Sequence, residues 1–245
     1  MNTTSTRLEE KLELLRPAMQ EAAEKLWSSP NVRKIYPLYL EQMHMVVRSG
    51  VSLMRTAALA ASKLSESCAF RRTLVDYLDK HIEEEKGHDQ WLMDDYEATG
   101  GRKEYLISKI PSCQVASMVG AQYYWIIHHH PVMIMGHIAA LEINHPPAGF
   151  SKRLAKLTGF PSKAFSAIAR HEVLDLKHKI EILDLIDQLN LETREEVAVG
   201  VSGLHTLQSG VSVLSAIRSR SKKNPLIAER VFNLPWGIHK VKNSS

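Results

Sequence analysis

Cysteine is almost missing from these 245 residues: Cys68 and Cys113 are the only two, and they form no C-x-x-C pair. A disulfide framework and a zinc ribbon are therefore excluded. Long apolar runs are missing as well, with none reaching the ~18 uninterrupted residues of a membrane span. The opening MNTTSTRLEEKLELL is polar and acidic where a secretory signal would be apolar. No charge of one sign dominates either, since 31 Lys+Arg stand against 27 Asp+Glu for a net +4, scattered along the chain. That is a poor footprint for nucleic acid. Internal repeats and low-complexity linkers do not occur. The expectation is a cytoplasmic chain with no membrane or nucleic-acid partner, long enough to bury a sizeable core.

What the sequence does have is helical periodicity from end to end. Leu8, Leu12, Leu15, Met19 and Ala22 share one side of a predicted helix over 5–27, which Pro17 should kink or split. Further helices are expected over 37–65, opened by Pro37, and over 69–99, closed by Gly100-Gly101. The least polar helix covers 114–143 with a kink at Pro131, and a short one covers 151–157. A long helix then starts after Gly159-Phe160-Pro161-Ser162 and ends at Asn190, and a last one spans 192–220. These segments predict an all-α bundle over 1–220 and a basic, aromatic tail over 221–245, from which Phe232, Leu234 and Trp236 could fold back as a lid.

The stretch His171 to His178 carries the chemistry most plainly. Positions i, i+4 and i+7 fall in one narrow helical stripe, which places His171, Asp175 and His178 together while Val173 and Leu176 face elsewhere. Two imidazoles and a carboxylate suit a borderline or hard cation such as iron or manganese. Asp175-x-x-His178 also has the carboxylate-x-x-His form found in helical di-iron bundles, which take two such motifs and one single Glu from each of two other helices. A second motif is Glu85-x-x-His88, although Glu84 and His81 share part of that face and spacing does not settle which of them binds. Gly87 beside it lowers helix propensity by ~1 kcal/mol, as if a backbone or ligand came close there. Single carboxylates are Glu41, an i, i+3 neighbour of His44 in an apolar setting, and Glu142. An unpaired carboxylate facing the core would be very unfavourable, so each needs a partner. His128, His129 and His130 point in three directions on a helix and cannot share one ion.

At these residues the sequence resembles the heme-oxygenase-like diiron oxidases, iron-containing redox enzymes related to the chlamydial CADD protein. The matching blocks run from Glu41 to Val46, from His81 to His88, from Tyr123 to Glu142 and from His171 to His178. The resemblance implies a seven-helix, heme-oxygenase-like bundle, as also found in the TenA group, usually dimeric. It implies Fe(II), two per chain, held by Glu85, His88, Glu142, His171, Asp175 and His178, with Glu41 as a further ligand. His44, His81, Glu84, His128 and His129 would orient those ligands by hydrogen bonds. Dioxygen would be the co-substrate, with an external electron donor as a further partner. The implied activity is oxidation of a small amino-acid- or fatty-acid-like substrate lying near Met43, Val47, Tyr123, Tyr124, Ile127 and Met135, with Arg48 gripping a carboxylate. The thiamin-degrading relatives use a catalytic cysteine, and neither Cys68 nor Cys113 sits in such a motif. The competing class is a metal-binding helical interaction protein without oxygenase activity.

Overall fold

A computed structural model describes residues 2–222 and is all-α over them. Its helices are α1 (Thr4–Glu13), α2 (Arg16–Trp27), α3 (Val32–Ser62), α4 (Arg71–Glu85), α5 (His88–Ala98), α6 (Lys103–Ser108), α7 (Cys113–His128), α8 (Ile134–Ile143), α9 (Phe150–Thr158), α10 (Ser166–Gln188) and α11 (Thr193–Lys222). Short 3-10 turns at Pro131–Met133 and Ser162–Phe165 lead into α8 and α10. The proposed tail lies outside the described residues apart from its first two positions.

Three runs that read as single helices are each broken once, at an identifiable residue. Pro17 has no N–H to donate and sits in the first turn of α2, where none is needed, so α1 and α2 separate just before it. Pro131 likewise opens the 3-10 turn between α7 and α8. The third break separates α4 from α5 at Lys86-Gly87. Lys86 is extended, and Gly87 takes φ +85°, a left-handed conformation that only glycine adopts freely. A Cβ on Gly87 would meet nothing within 4 Å. No backbone approaches Gly87, contrary to that half of the expectation, and glycine is needed here for the backbone turn. Pro37 lies inside α3, which begins five residues earlier at Val32 rather than at the proline.

Packing centres on α11, which lies against α8, α2, α7, α1 and α3. The α8–α11 crossing is tight: a Cβ on Gly136 would fall 2.0 Å from the Val199 carbonyl oxygen and 2.8 Å from the Gly203 nitrogen. Small residues at the crossing let α8 bury almost every side chain, Glu142 included. By length and composition α11 would suffice to cross a membrane, but half of its most apolar stretch is covered by the bundle. One core cluster joins Leu53, Leu74, Leu78, Ile134, Ile138 and Ile186, and a second joins Leu26, Ile35, Tyr36, Leu40, Leu106 and Phe165. In the second, the Tyr36 hydroxyl donates to the Ala164 carbonyl at 2.6 Å and its ring stacks on Phe165 at 4.5 Å.

Candidate metal centre

Helices α4, α5, α8 and α10 each bring at least one donor to a common point. His81, Glu85, Glu142 and His178 each offer one ligand atom, all within 4.8 Å of one another. Glu85, His88 and His171 form a second group on the same criterion. Glu85 belongs to both, and the arrangement is two adjacent half-sites sharing one carboxylate. Within the first, His81 Nε2 lies 3.7 Å from Glu142 Oε1, and His178 Nδ1 lies 3.6 Å from Glu142 Oε2 and 3.7 Å from Glu85 Oε1. Within the second, His88 Nδ1 is 2.9 Å from Glu85 Oε2, and the His88 and His171 rings meet edge to face at 5.0 Å.

Local structure explains the convergence. Asp95, fully buried on α5, accepts hydrogen bonds from the backbone N–H groups of Ser166 and Ala167 and from the Ser166 hydroxyl, at 3.0, 3.0 and 2.5 Å. It thereby satisfies donors that the start of α10 would otherwise leave open, and it ties the His88 helix to the His171 helix. Glu172 caps the start of α9 in the same way, accepting from Gly149 N–H at 2.8 Å and Ser151 N–H at 2.6 Å, which fixes the rotation of α10. The His171 Nδ1–H donates to the Ala167 carbonyl at 2.7 Å, leaving Nε2 as the ring's free lone pair. His88 stacks on Trp91 at 4.0 Å and His81 on Tyr77 at 5.4 Å.

The electrostatics are those of a site short of positive charge. Burial pushes His81 and His171 below the ordinary imidazole value, toward the neutral form that coordinates metals. His178 moves the other way because Glu142 faces it. Burial acts to raise Glu85, but His88 and then the other imidazoles outweigh it and hold the carboxyl below its usual range. Asp175, buried one turn before His178, is raised to about 8 by burial and then by the charge of Glu142.

Polar bookkeeping tests whether a metal fits. Nδ1 of His81 and Oε2 of Glu84 are buried without a hydrogen-bond partner, and Nδ1 of His88 and of His178 face only the carboxylates of Glu85 and Glu142. Buried polar atoms are nearly always satisfied, so a buried cluster in which imidazoles and carboxylates meet chiefly one another suits an ion. Imidazoles and carboxylates without a thiolate match iron, manganese or zinc. The residues present fit.

The expected residues divide. Glu85, His88, Glu142, His171 and His178 are brought together, and Asp175 is buried beside them. His81, expected only to orient ligands, presents its own ring to the cluster. Glu84 sits at the edge, with one oxygen on Lys177 at 2.9 Å and the other 3.6 Å from His81 Nδ1 and 3.9 Å from His178 Nε2. Glu41 is not part of the cluster: it is buried against Lys109 Nζ at 2.5 Å, Arg220 Nη2 at 3.3 Å and the Tyr96 hydroxyl at 3.3 Å. The apolar setting that suggested a ligand instead buries an ion pair. His44 is buried with an unpartnered Nδ1, its pKa lowered by burial and then by neighbouring Arg48.

His128 and His129 are exposed at the end of α7 and line a surface groove with Tyr124 and Arg194, so they do not orient ligands. The expected substrate pocket does not assemble either. Tyr124 and Ile127 are more than half exposed, Tyr123 and Met135 belong to one core cluster, and Met43 and Val47 pack on the other. The break at Pro131 ends α7 before α8 begins, so helical spacing no longer relates the residues of the two helices. Sequence reasoning also missed Asp95, which sits seven residues after His88 and thus on the same face, and Tyr77, one turn before His81.

The sequence model of a family described as "iron-containing redox enzyme" matches residues 38–207. No curated protein matches the sequence. Among solved structures, a domain of unknown function with a heme oxygenase-like fold from Shewanella denitrificans is similar, with a TM-score of 0.71 and 16% identity over 88% of this chain and 92% of that one. A TenA homolog from Pseudomonas syringae aligns with a TM-score of 0.59 and 11% identity, covering 84% of this chain and 92% of that one. At such identities the likeness shows the heme-oxygenase-like fold alone.

Proposed function

This chain belongs to the iron-containing redox enzyme family, and on that premise we propose that it is a non-heme diiron oxidase or oxygenase acting on a small organic substrate. The observation that carries the reading is the pair of donor groups sharing Glu85. One iron would be held by His81, Glu142, His178 and Glu85, and the other by His88, His171 and Glu85, with Asp175 in reserve beside them. Ferrous iron, when bound, supplies the reducing equivalents for activating O2, chemistry that no side chain here can perform.

The chain's own contribution is positional. Asp95 and Glu172 hold α10 in register, so His171 and His178 face the cluster without rearrangement. Ala167 fixes the His171 ring orientation through its carbonyl. Tyr77 and Trp91 wall the two half-sites with aromatic surface that keeps water from the imidazoles. Anaerobic loading with Fe(II) followed by metal analysis should return close to two irons per chain. His178→Ala and Glu142→Ala should each lose most of it while circular dichroism stays helical. A chain that binds none counts against the reading.

A second reading, a binding protein whose metal does no O2 chemistry, draws on one observation. Tyr124, Ile127, Val197 and Val201 leave an exposed apolar strip along α7 and α11, a surface on which another protein or a second copy would fit. Mixing the ferrous chain with O2 separates the two: a transient visible band whose decay a substrate accelerates belongs to the oxidase, whereas substrate-indifferent oxidation belongs to the binding protein.

A further inference from the structure

Helix α6 is short and buries one side chain, Leu106. The other large apolar groups around it face solvent: Tyr105 is 47% exposed, Ile107 56% and Ile110, just past the helix, 81%. They make an apolar face that the described residues leave mostly uncovered. The end of α11 lies against it. Lys109 Nζ and Arg220 Nη2 both approach Glu41 Oε2, at 2.5 and 3.3 Å, so the two cations stand side by side. The Lys109 ammonium also sits over the Tyr105 ring, 4.4 Å from its centroid. The chain therefore leaves α11, at Lys222, close to the apolar face. A second observation comes from the sequence beyond that point. Residues 223–245 carry Leu226, Ile227, Phe232, Leu234, Trp236 and Ile238, whereas segments that stay solvated have few aromatic and branched residues. Leu226 is already within reach, since the chain from Arg220 to Leu226 spans roughly 20 Å when extended.

We propose that the face formed by Tyr105, Ile107 and Ile110 is a docking surface for this chain's own residues 223–245, whose apolar side chains cover the two isoleucines. The occupant is the tethered segment and not a second copy of the chain. A short tether presents its segment at an effective concentration of roughly millimolar, which outcompetes a free copy at micromolar protein. Docking there places the segment at the Glu41 ion-pair group, which is separate from the donor cluster. The inference therefore stands or falls without the diiron reading.

Cys113 supplies the probe position, because it is exposed and follows Ile110 closely in the chain. On the full chain with Cys68→Ser, a nitroxide on Cys113 should broaden the amide NMR signals of residues 226–238, and reducing the nitroxide should restore them. Ile107→Asp combined with Ile110→Asp should raise those signals at least about twofold while the label is active, because docking would then bury two carboxylates. Both positions are too exposed for the substitutions to disturb the fold. Signals that the label leaves sharp overturn the proposal. Broadening that the double variant leaves unchanged also overturns it, since proximity through the tether alone would not respond to the substitutions. The last arm mixes isotope-labelled chains that lack the nitroxide with nitroxide-bearing chains that lack the isotope. Sharp signals in the mixture support the tethered segment, whereas broadening of residues 226–238 assigns the face to a second copy and overturns the proposal.

Discussion

Glu41 and Glu142 are both acids buried on helices of the bundle, 3% and 9% exposed, yet their neighbours differ in kind. Glu41 meets two permanent cations, Lys109 and Arg220, and a tyrosine hydroxyl. Glu142 meets His81 and His178, with Glu85 and Asp175 close enough to interact. Lysine and arginine stay charged at neutral pH, so the first group is complete as folded. Burial favours neutral His81, and His178, raised by Glu142, offers one positive charge at most against several carboxylates, so the second group has room for a cation from outside. An acid with its own lysine is structural, and one with only histidines is a ligand in waiting.

The sharpest way to break that contrast is Glu85→Ala. Because Glu85 belongs to both donor groups, the variant should lose both metals, weakening affinity by more than the ~100-fold that loss of an outer hydrogen-bond partner causes. Metal analysis reads it directly, and loss of only one equivalent would refute the sharing. The intact site should also raise the melting temperature when Fe(II) is supplied under argon. That gain should shrink below pH ~6.5, because protons then compete for imidazoles that must be neutral to bind.

Next in size is Glu41→Gln. Removing this acid leaves Lys109 part-buried without its counter-charge, which should destabilise the fold by about 3 kcal/mol. Iron content should not change. Denaturant melts and metal analysis on the same sample separate the two effects, and loss of metal would return Glu41 to the ligand set.

How far the sequence could be read follows from the same contrast. The stripe His171, Asp175 and His178 was legible because all three lie on one unbroken helix, where spacing alone sets direction. Glu85 and His88 were legible as a pair but not in place, since Gly87 puts a left-handed turn between them and frees His81 to enter the cluster. Glu41 was misread because its cations come from Lys109 and Arg220, 68 and 179 residues away, which no local pattern reveals. The roles of His128 and Tyr124, taken from the family resemblance, were misplaced because both lie exposed near the end of α7, which stops before Pro131 and so does not continue into the helix of Glu142. The all-helical fold was legible throughout, because periodicity survives each break.

A smaller effect is expected where the backbone, not charge, places the ligand. Gly136 lets α8 approach α11 closely enough that a Cβ would overlap the Val199 carbonyl. Gly136→Ala should cost about 2 kcal/mol through forced separation of the helices. Because Glu142 lies on the same short helix, metal affinity should fall with it. A variant as stable as wild type would show that the crossing is not tight.

The smallest effect separates buried from surface compensation. Glu196 on α11 accepts hydrogen bonds from Arg7 and Lys11 on α1, and these hold its carboxyl down to about 2. A depressed folded pKa means that the unfolded chain takes up a proton first, near the ordinary value of ~4.3. The stabilisation is therefore complete above that pH and is lost as the pH falls from there through about 2. With partly exposed partners and solvent screening, the contribution is about 1 kcal/mol at most. Glu196→Gln should flatten that part of the acid limb and leave stability near neutral pH lower by a similar amount. Added salt should shrink the difference between variant and wild type, whereas it should not restore Glu41→Gln, whose partner is part-buried. Equal salt sensitivity in the two variants would mean that Glu41 is no better shielded than Glu196, and the distinction between the two kinds of acid would fail at its simplest point.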